Sequence, residues 1–289
     1  MLLISALTMS FPLPAQSRID CSALNSRILK SEVHYCVYLP ASYDAGARRP
    51  AQTYPVLYFL HGLGDNERTL FNSGGFTLLD DLHRQHKIGE FLIVAPEGGR
   101  TFYINSADGK VRYSDFFLKE FTPLIESKYR IAKGRGHRAI SGISMGGYGA
   151  LAFAFAYPEQ FSAVSAQSAA LITESPRELD AGIRSGSPLG MLLATVFGDP
   201  ISVAHWNGNN PFARAERNRE ELHNTAIYFN CGQNDNYGFE KGAIALNAQL
   251  SREAIKHEYH LYPGDHSFAY FMSHFPEVME FHSRAFGLK

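Results

Sequence analysis

Two apolar runs stand out along the chain, Tyr54-Pro55-Val56-Leu57-Tyr58-Phe59-Leu60 and Phe91-Leu92-Ile93-Val94-Ala95-Pro96. Both have strand length and no charged position, the pattern of strands covered on both faces. Before them, residues 17–23 and Glu32 to Leu39 read as two further strands. The second alternates through Val33, Tyr35, Val37 and Leu39. Pro40 to Pro50 reads as a polar loop. Helical spacing returns from about Gly75 to Lys87. It recurs from Tyr113 to Tyr129, where Phe116, Phe117, Phe121, Leu124 and Ile125 share one face. Between these helices, Glu97 to Arg112 is a Gly-rich loop carrying Phe102 and Tyr103.

The second half continues the alternation. A strand from Arg138 to Gly142 precedes a helix-like run, Tyr148 to Tyr157, stopped by Pro158. Strands follow at Phe161–Ala166, Thr225–Cys231 and His257–Tyr262. Helices are expected near Phe212–His223, Phe239–Lys256 and Ser267–Phe286. Strands alternating with helices predict an α/β domain over residues 17–289. Its sheet is mostly parallel, with helices on both faces and an antiparallel N-terminal edge. The pattern breaks down at about 169–210, a stretch rich in Gly and Pro that holds the single tryptophan, Trp206. It is too long for a plain connection. It reads as an insertion over the site, a small cap or substrate-binding lobe. The alternative is a surface excursion with a short helix or two.

Composition excludes some classes of function. Hydrophobic residues at 45% and charged residues at 19% suit a domain with a buried core. A net charge of −1 with no long basic run argues against a nucleic-acid partner held through its phosphates. None of the twelve histidines forms a His-x-x-x-His pattern, and no Cys-x-x-Cys pair occurs, so no metal is expected. Residues 1–16 resemble the back half of a secretory signal, with a cut after Ala15 but no basic n-region. Their apolar core is too short to span a bilayer, so no stable membrane insertion is expected. A secreted or periplasmic protein is one reading; a cytoplasmic one with a floppy N-terminus is the other. Export would permit a disulfide between Cys21 and Cys36, and two buried thiols are the alternative. Cys231, in a predicted strand, reads as an inert core thiol.

The chemistry centres on Gly142-Ile143-Ser144-Met145-Gly146. This Gly-x-Ser-x-Gly pattern sits between a strand and a helix, the setting of a nucleophile elbow. The serine occupies a strained turn that projects its hydroxyl. Side chains two residues either way would strike backbone, which accounts for Gly142 and Gly146. A serine hydroxyl is a weak nucleophile at neutral pH and needs a base, oriented in turn by an acid. Behind such an elbow the order along the chain is serine, acid, histidine. His266, after the last strand, is the candidate base. Asp235, just after strand Thr225–Cys231, is the candidate acid. Asp199 and Asp265 are its rivals; the first has no strand before it, and the second adjoins the histidine. Backbone N–H groups of Met145 and of Leu63, in the loop after an early buried strand, are the candidate oxyanion donors. His61 is expected to brace that loop. This chemistry needs no cofactor.

Five stretches carry a family resemblance: Val37-Tyr38-Leu39-Pro40, His61-Gly62-Leu63-Gly64-Asp65, Gly142 to Gly147, Cys231-Gly232-x-x-Asp235 and Gly264-Asp265-His266-Ser267-Phe268. In this order the chain resembles the α/β-hydrolase serine esterases of the esterase D and feruloyl esterase type. That group also contains S-formylglutathione hydrolases and mycolyltransferases. The resemblance implies the α/β-hydrolase fold and a serine carboxylesterase acting on small-molecule or sugar esters through an acyl-enzyme. The formylglutathione enzymes usually carry His on both sides of the elbow. This chain has Ile143 and Tyr148 at those places, which points instead to short-chain acyl, feruloyl or acetyl-sugar esters. Trp206, Tyr148 and Tyr237 are candidates to line the substrate site. Two other readings are an acyltransferase using the same three residues with a sugar or alcohol acceptor, and an inactive binding protein of the same fold. The complete, ordered set of groups argues against the last.

Overall fold

A computed structural model of the chain describes residues 16–45 and 52–288. The leader expected at residues 1–16 lies outside them, apart from Gln16. Eight strands form one sheet in the order β1-β2-β4-β3-β5-β6-β7-β8. The N-terminal edge is β1 (Arg18–Ser26) and β2 (Ser31–Leu39), antiparallel to each other, with β2 also antiparallel to β4. A short helix, α1 (Ala41–Ala45), opens the segment expected as loop. The strands β3 (Val56–Leu60), β4 (Leu92–Pro96), β5 (Arg138–Ile143), β6 (Ala163–Gln167), β7 (Ala226–Gly232) and β8 (Glu258–Tyr262) pair in parallel.

The two-residue period of the strands sorts the core into two layers. Val56, Tyr58 and Leu60 face one side, where they pack with Phe117, Phe121 and Phe153. Leu57 and Phe59 face the other side, against Leu79, Leu82, Phe275 and Met279. The second layer is built by α2 (Phe76–Arg84) and, from the far end of the chain, α12 (Phe268–Ala285). The first layer contains α3 (Tyr113–Phe116), α4 (Thr122–Lys128) and α5 (Met145–Ala156). The rod expected as one helix from Tyr113 to Tyr129 has a wide π-type turn in its middle, Phe117–Phe121. That turn presents both of its terminal phenylalanines to the core.

Residues 169–210 hold three helices, α6 (Pro176–Arg184), α7 (Pro188–Phe197) and α8 (Val203–Asn209). The hydroxyls of Ser175, Ser187 and Ser202 cap their N-termini, each accepting from a backbone N–H three residues on. After α8 come α9 (Pro211–Arg217) and α10 (Arg219–Leu222). The single helix expected there breaks at Asn218, whose side chain donates to the Phe155 carbonyl of α5 at 2.6 Å. Buried Arg214 ties α8 and α9 to α5, donating to the carbonyls of Ala152 (2.6 Å) and Gly208 (2.9 Å). Between β7 and β8 lies α11 (Phe239–Arg252), packed on β7. Cys21 and Cys36 sit opposite each other in the β1–β2 register and are disulfide-bonded. Cys231 is free and fully buried, and burial raises its thiol pKa to about 12.

A buried polar chain crosses under the sheet. The His282 ring of α12 lies 2.7 Å from Ser165 Oγ, which donates to Ser141 Oγ at 2.7 Å. With the Ser165 proton so used, His282 Nε2–H is the donor. Burial lowers the His282 pKa to about 3, against about 6.5 for a free ring. The folded ring stays neutral while the unfolded chain takes up a proton below about pH 6.5, so its contribution to stability is full above that pH. It is lost as pH falls toward 3, at about 1.4 kcal/mol per unit. Urea unfolding at pH 7 and pH 5 should therefore show a smaller loss in His282→Gln than in the wild type. Equal losses would mean that the ring is not neutral in the fold.

Candidate active site

Four loops converge at the C-terminal ends of strands β3, β5, β7 and β8 in one half of the sheet. Ser144 follows β5 with φ 53° and ψ −118°, a region of positive φ that non-glycine residues rarely adopt. Its N–H donates to the Gln167 carbonyl (2.9 Å), and its own carbonyl accepts from Tyr148 and Ala170 (3.0 Å each). The turn is therefore held by β6 and α5. Its tightness excludes side chains on either side. A Cβ on Gly142 would stand 2.2 Å from the Gly146 carbonyl oxygen, and one on Gly146 would stand 2.0 Å from the Leu60 oxygen.

The serine hydroxyl lies 2.9 Å from His266 Nε2. His266 Nδ1 lies 2.7 Å from Asp235 Oδ2. The loops that bring these groups together are stitched across β7 and β8. Gln233 N–H donates to the Tyr262 carbonyl, Asn234 N–H to Gly264 and His266 N–H to Asn236 Oδ1. The Asp235 side chain is fully enclosed. Burial alone would raise its pKa. The hydrogen bond and charge of His266, with N–H donors from Tyr237 and Phe239, outweigh burial and hold it below the usual value. The carboxylate thus stays ionised and keeps the proton of His266 on Nδ1, leaving Nε2 free to accept from Ser144. The rival acids, Asp199 and Asp265, are both exposed.

Beside the serine, a Cβ on Gly62 would lie 3.6 Å from Ser144 Cβ, so the loop after β3 passes directly over it. Among the described residues neither Leu63 N–H nor Met145 N–H has an internal acceptor. His61 holds this loop: its Nδ1 donates to the Gly62 carbonyl and its Nε2 accepts from Gly98 N–H, each at 2.8 Å. Tyr103 Oη adds a bond to the His61 carbonyl at 2.9 Å. Burial lowers the His61 pKa and keeps the ring neutral, as both bonds require.

A cleft of about 270 Å³ opens over Ser144 and His266. Its walls are mostly apolar: Leu63 and Phe102 on one side, Leu189 and Leu192 from α7, and Phe268 and Phe271 near His266. Of the three aromatic candidates, only Tyr237 is there. It is 67% exposed, and its ring meets the His266 ring at 4.8 Å. Trp206 and Tyr148, expected there, do not line it. Trp206, on α8, is 4% exposed and packs in a T-shaped contact against Phe197 of α7. Tyr148 is buried behind Phe102, and its hydroxyl donates to the Asn209 carbonyl at 3.0 Å. Both residues support the insertion without lining the cleft. Sequence reasoning missed Leu189, Leu192 and Asp65 as cleft residues. The spacing of three between the leucines on a short helix was the signal for the first two. Among the described residues no group of three or more His, Cys, Asp or Glu side chains is placed to hold a metal ion.

The chain matches the family described as "Putative esterase" over residues 26–282. It is 30% identical over 249 residues to Esterase Rv1288 of Mycobacterium tuberculosis (strain ATCC 25618 / H37Rv), a match covering 80% of this chain and 52% of that protein. The chain thus spans about half the length of that curated relative. It is 24% identical over 229 residues to an acetyl esterase of Caldicellulosiruptor saccharolyticus, covering 79% of this chain and 83% of that one. Among solved structures it is similar to a ferulic acid esterase, with a TM-score of 0.80 at 28% identity over 94% of this chain and 99% of that one. An S-formylglutathione hydrolase from Agrobacterium tumefaciens superposes with a TM-score of 0.73 at 19% identity, covering 96% of this chain and 99% of that one. That likeness is one of fold. The sheet order, the elbow and the match over nearly the whole chain agree: this is an α/β-hydrolase fold, and the chain belongs to that esterase family.

Proposed function

We propose that the protein is a serine carboxylesterase that works through an acyl-enzyme. The observation that carries this reading is the continuous hydrogen-bonded chain Ser144–His266–Asp235 at the floor of an apolar cleft. Ser144 Oγ attacks the ester carbonyl as its proton passes to His266 Nε2. The imidazolium is held by Asp235. The carbonyl oxygen, now negative, accepts from the N–H groups of Leu63 and Met145. Collapse expels the alcohol, which takes the proton from His266. Water then repeats the sequence on the acyl-serine, giving the carboxylic acid and free enzyme. The cleft volume favours a short acyl group or a single aromatic one over a long chain. The ferulic acid esterase and acetyl esterase relatives support esters of those sizes. Helix α7 sets one wall and is the specificity element of this reading. The Cys21–Cys36 disulfide supports export to an oxidising compartment.

The test is a panel of p-nitrophenyl esters from acetate to palmitate plus methyl ferulate, with a fluorophosphonate probe to label the nucleophile. Turnover of short or aromatic esters, with the probe's mass on Ser144 alone, is the expected outcome. Labelling elsewhere, or none with no turnover, would sink it. Sugar or alcohol acceptors in the same assay measure how much of the acyl group is transferred instead of hydrolysed. Asp235→Asn should lower kcat by roughly 10⁴-fold, because Asn leaves the proton of His266 on the wrong nitrogen. Circular dichroism should find the fold retained. A loss of tenfold or less would place the orienting acid elsewhere.

A further inference from the structure

Asp65 is the only carboxylate lining the cleft among the described residues, and no Lys or Arg lines it. It belongs to the loop that passes over Ser144. A Cβ on Gly62 would stand 3.1 Å from Asp65 Oδ2, so the carboxylate lies against the backbone that carries Leu63. The nearby His61 ring does not neutralise it, since both ring nitrogens are committed to backbone and the ring is uncharged. The rest of the cleft lining is mostly hydrocarbon, such as Phe102 and Leu192, with Ser144, Tyr237 and His266 as its polar side chains. Asp65 is half-buried, and burial raises its pKa against the opposing pull of the Gly62 backbone N–H. A carboxylate on the wall of a mostly apolar cleft is screened less than one in open solvent and acts on whatever enters.

We propose that Asp65 is a specificity-determining residue that excludes anionic esters from the cleft and expels the carboxylate product. The substrate is accordingly an ester with no negative charge on the part that enters. Hydrolysis turns a neutral acyl group into an acid that ionises, and the same repulsion then favours its release. This inference rests on the esterase reading above.

Two rigid pairs of esters separate charge from shape. Methyl 4-carboxycinnamate and methyl 4-carbamoylcinnamate differ by one charge on the acyl side; 4-acetoxybenzoate and 4-acetoxybenzamide differ on the leaving-group side. Wild type and Asp65→Asn are assayed at pH 8 in low salt and in 0.5 M NaCl. In at least one pair the wild type should prefer the neutral ester by about tenfold in kcat/KM. That is the size of a unit-charge repulsion across about 10 Å at an effective dielectric constant of about 20. Asp65→Asn should bring the ratio close to one, and salt should shrink it in the wild type; a merely structural role moves neither. An unchanged ratio in both pairs would overturn the proposal. Titration of cinnamate and cinnamamide into the same two proteins reads the selectivity without turnover. Asp65→Asn should tighten cinnamate about tenfold relative to cinnamamide, and an equal change for both would also overturn it. Absence of Ser144-dependent turnover of the neutral esters would count against the esterase reading alone.

Discussion

Ser144→Ala should lower kcat by roughly 10⁴- to 10⁶-fold on any ester the wild type hydrolyses, with KM little changed. The mutation removes the hydroxyl that projects from a strained turn and lies 2.9 Å from the His266 ring. On the proposed mechanism, what remains are the binding walls and the N–H groups of Leu63 and Met145, which would still assist attack by water. Removal of 10⁵-fold corresponds to about 7 kcal/mol of barrier, far more than loss of a hydrogen bond alone. Stability gives a second reading of the same residue. A non-glycine residue at φ 53°, ψ −118° stores about 1–3 kcal/mol of backbone strain. Alanine keeps that strain, so Ser144→Ala should unfold at nearly the wild-type urea midpoint. Glycine releases it, so Ser144→Gly should be equally inactive and more stable than Ser144→Ala by about 1 kcal/mol. An active alanine variant would refute the nucleophile assignment. An active-site serine with no stability gain on going to glycine would mean that the turn is relaxed.

The serine, histidine and aspartate could be read in advance because chemistry fixes their order and backbone sterics fix the glycines around the first of them. Strand positions could be read because burial on both faces leaves continuous apolar runs, as in Val56–Leu60. The walls of the cleft are a different problem. Trp206 and Tyr148 look like ligand-binding aromatics in sequence, yet Phe197 and Phe102 claim their faces. An aromatic side chain serves core and site equally well, and only tertiary placement decides. Tyr237 escapes the core because it stands in the loop between β7 and α11. Leu189 and Leu192 look like ordinary core on α7, and only the position of that helix over Ser144 turns them into cleft wall. Asp65 is visible in its motif, but that it shares the cleft with no Lys or Arg is a property of the fold. The π-type turn at Phe117–Phe121 is equally hidden, since one extra residue in a turn leaves no mark on an apolar face.

The largest stability effect should come from Gly146→Ala, a change of one methyl group. Its Cβ would stand 2.0 Å from the Leu60 oxygen, 2.4 Å from the Leu60 carbonyl carbon and 2.6 Å from the His61 oxygen. All three are backbone atoms, at the end of β3 and the start of the loop that carries Leu63. No rotamer change can relieve such contacts, so either α5 or the end of β3 must move. Both are pinned: β3 pairs with β5 through its whole length and with β4 over Val56–Tyr58, and α5 packs on β5 and β6. The expected cost is about 4 kcal/mol or more, at the upper end of single substitutions, with most of the protein insoluble on expression. Any soluble fraction should also have lost activity, because displacing β3 draws the Leu63 N–H away from Ser144. Gly208→Ala is the control. That glycine lies in α8, and a methyl group there would meet nothing within 4 Å, so alanine should be neutral or stabilise by up to about 1 kcal/mol. Soluble yield and urea midpoints of the two variants decide the matter. A Gly146→Ala protein with the wild-type midpoint would mean that the elbow can open without cost, and the Gly-x-Ser-x-Gly pattern would then need a cause other than backbone sterics.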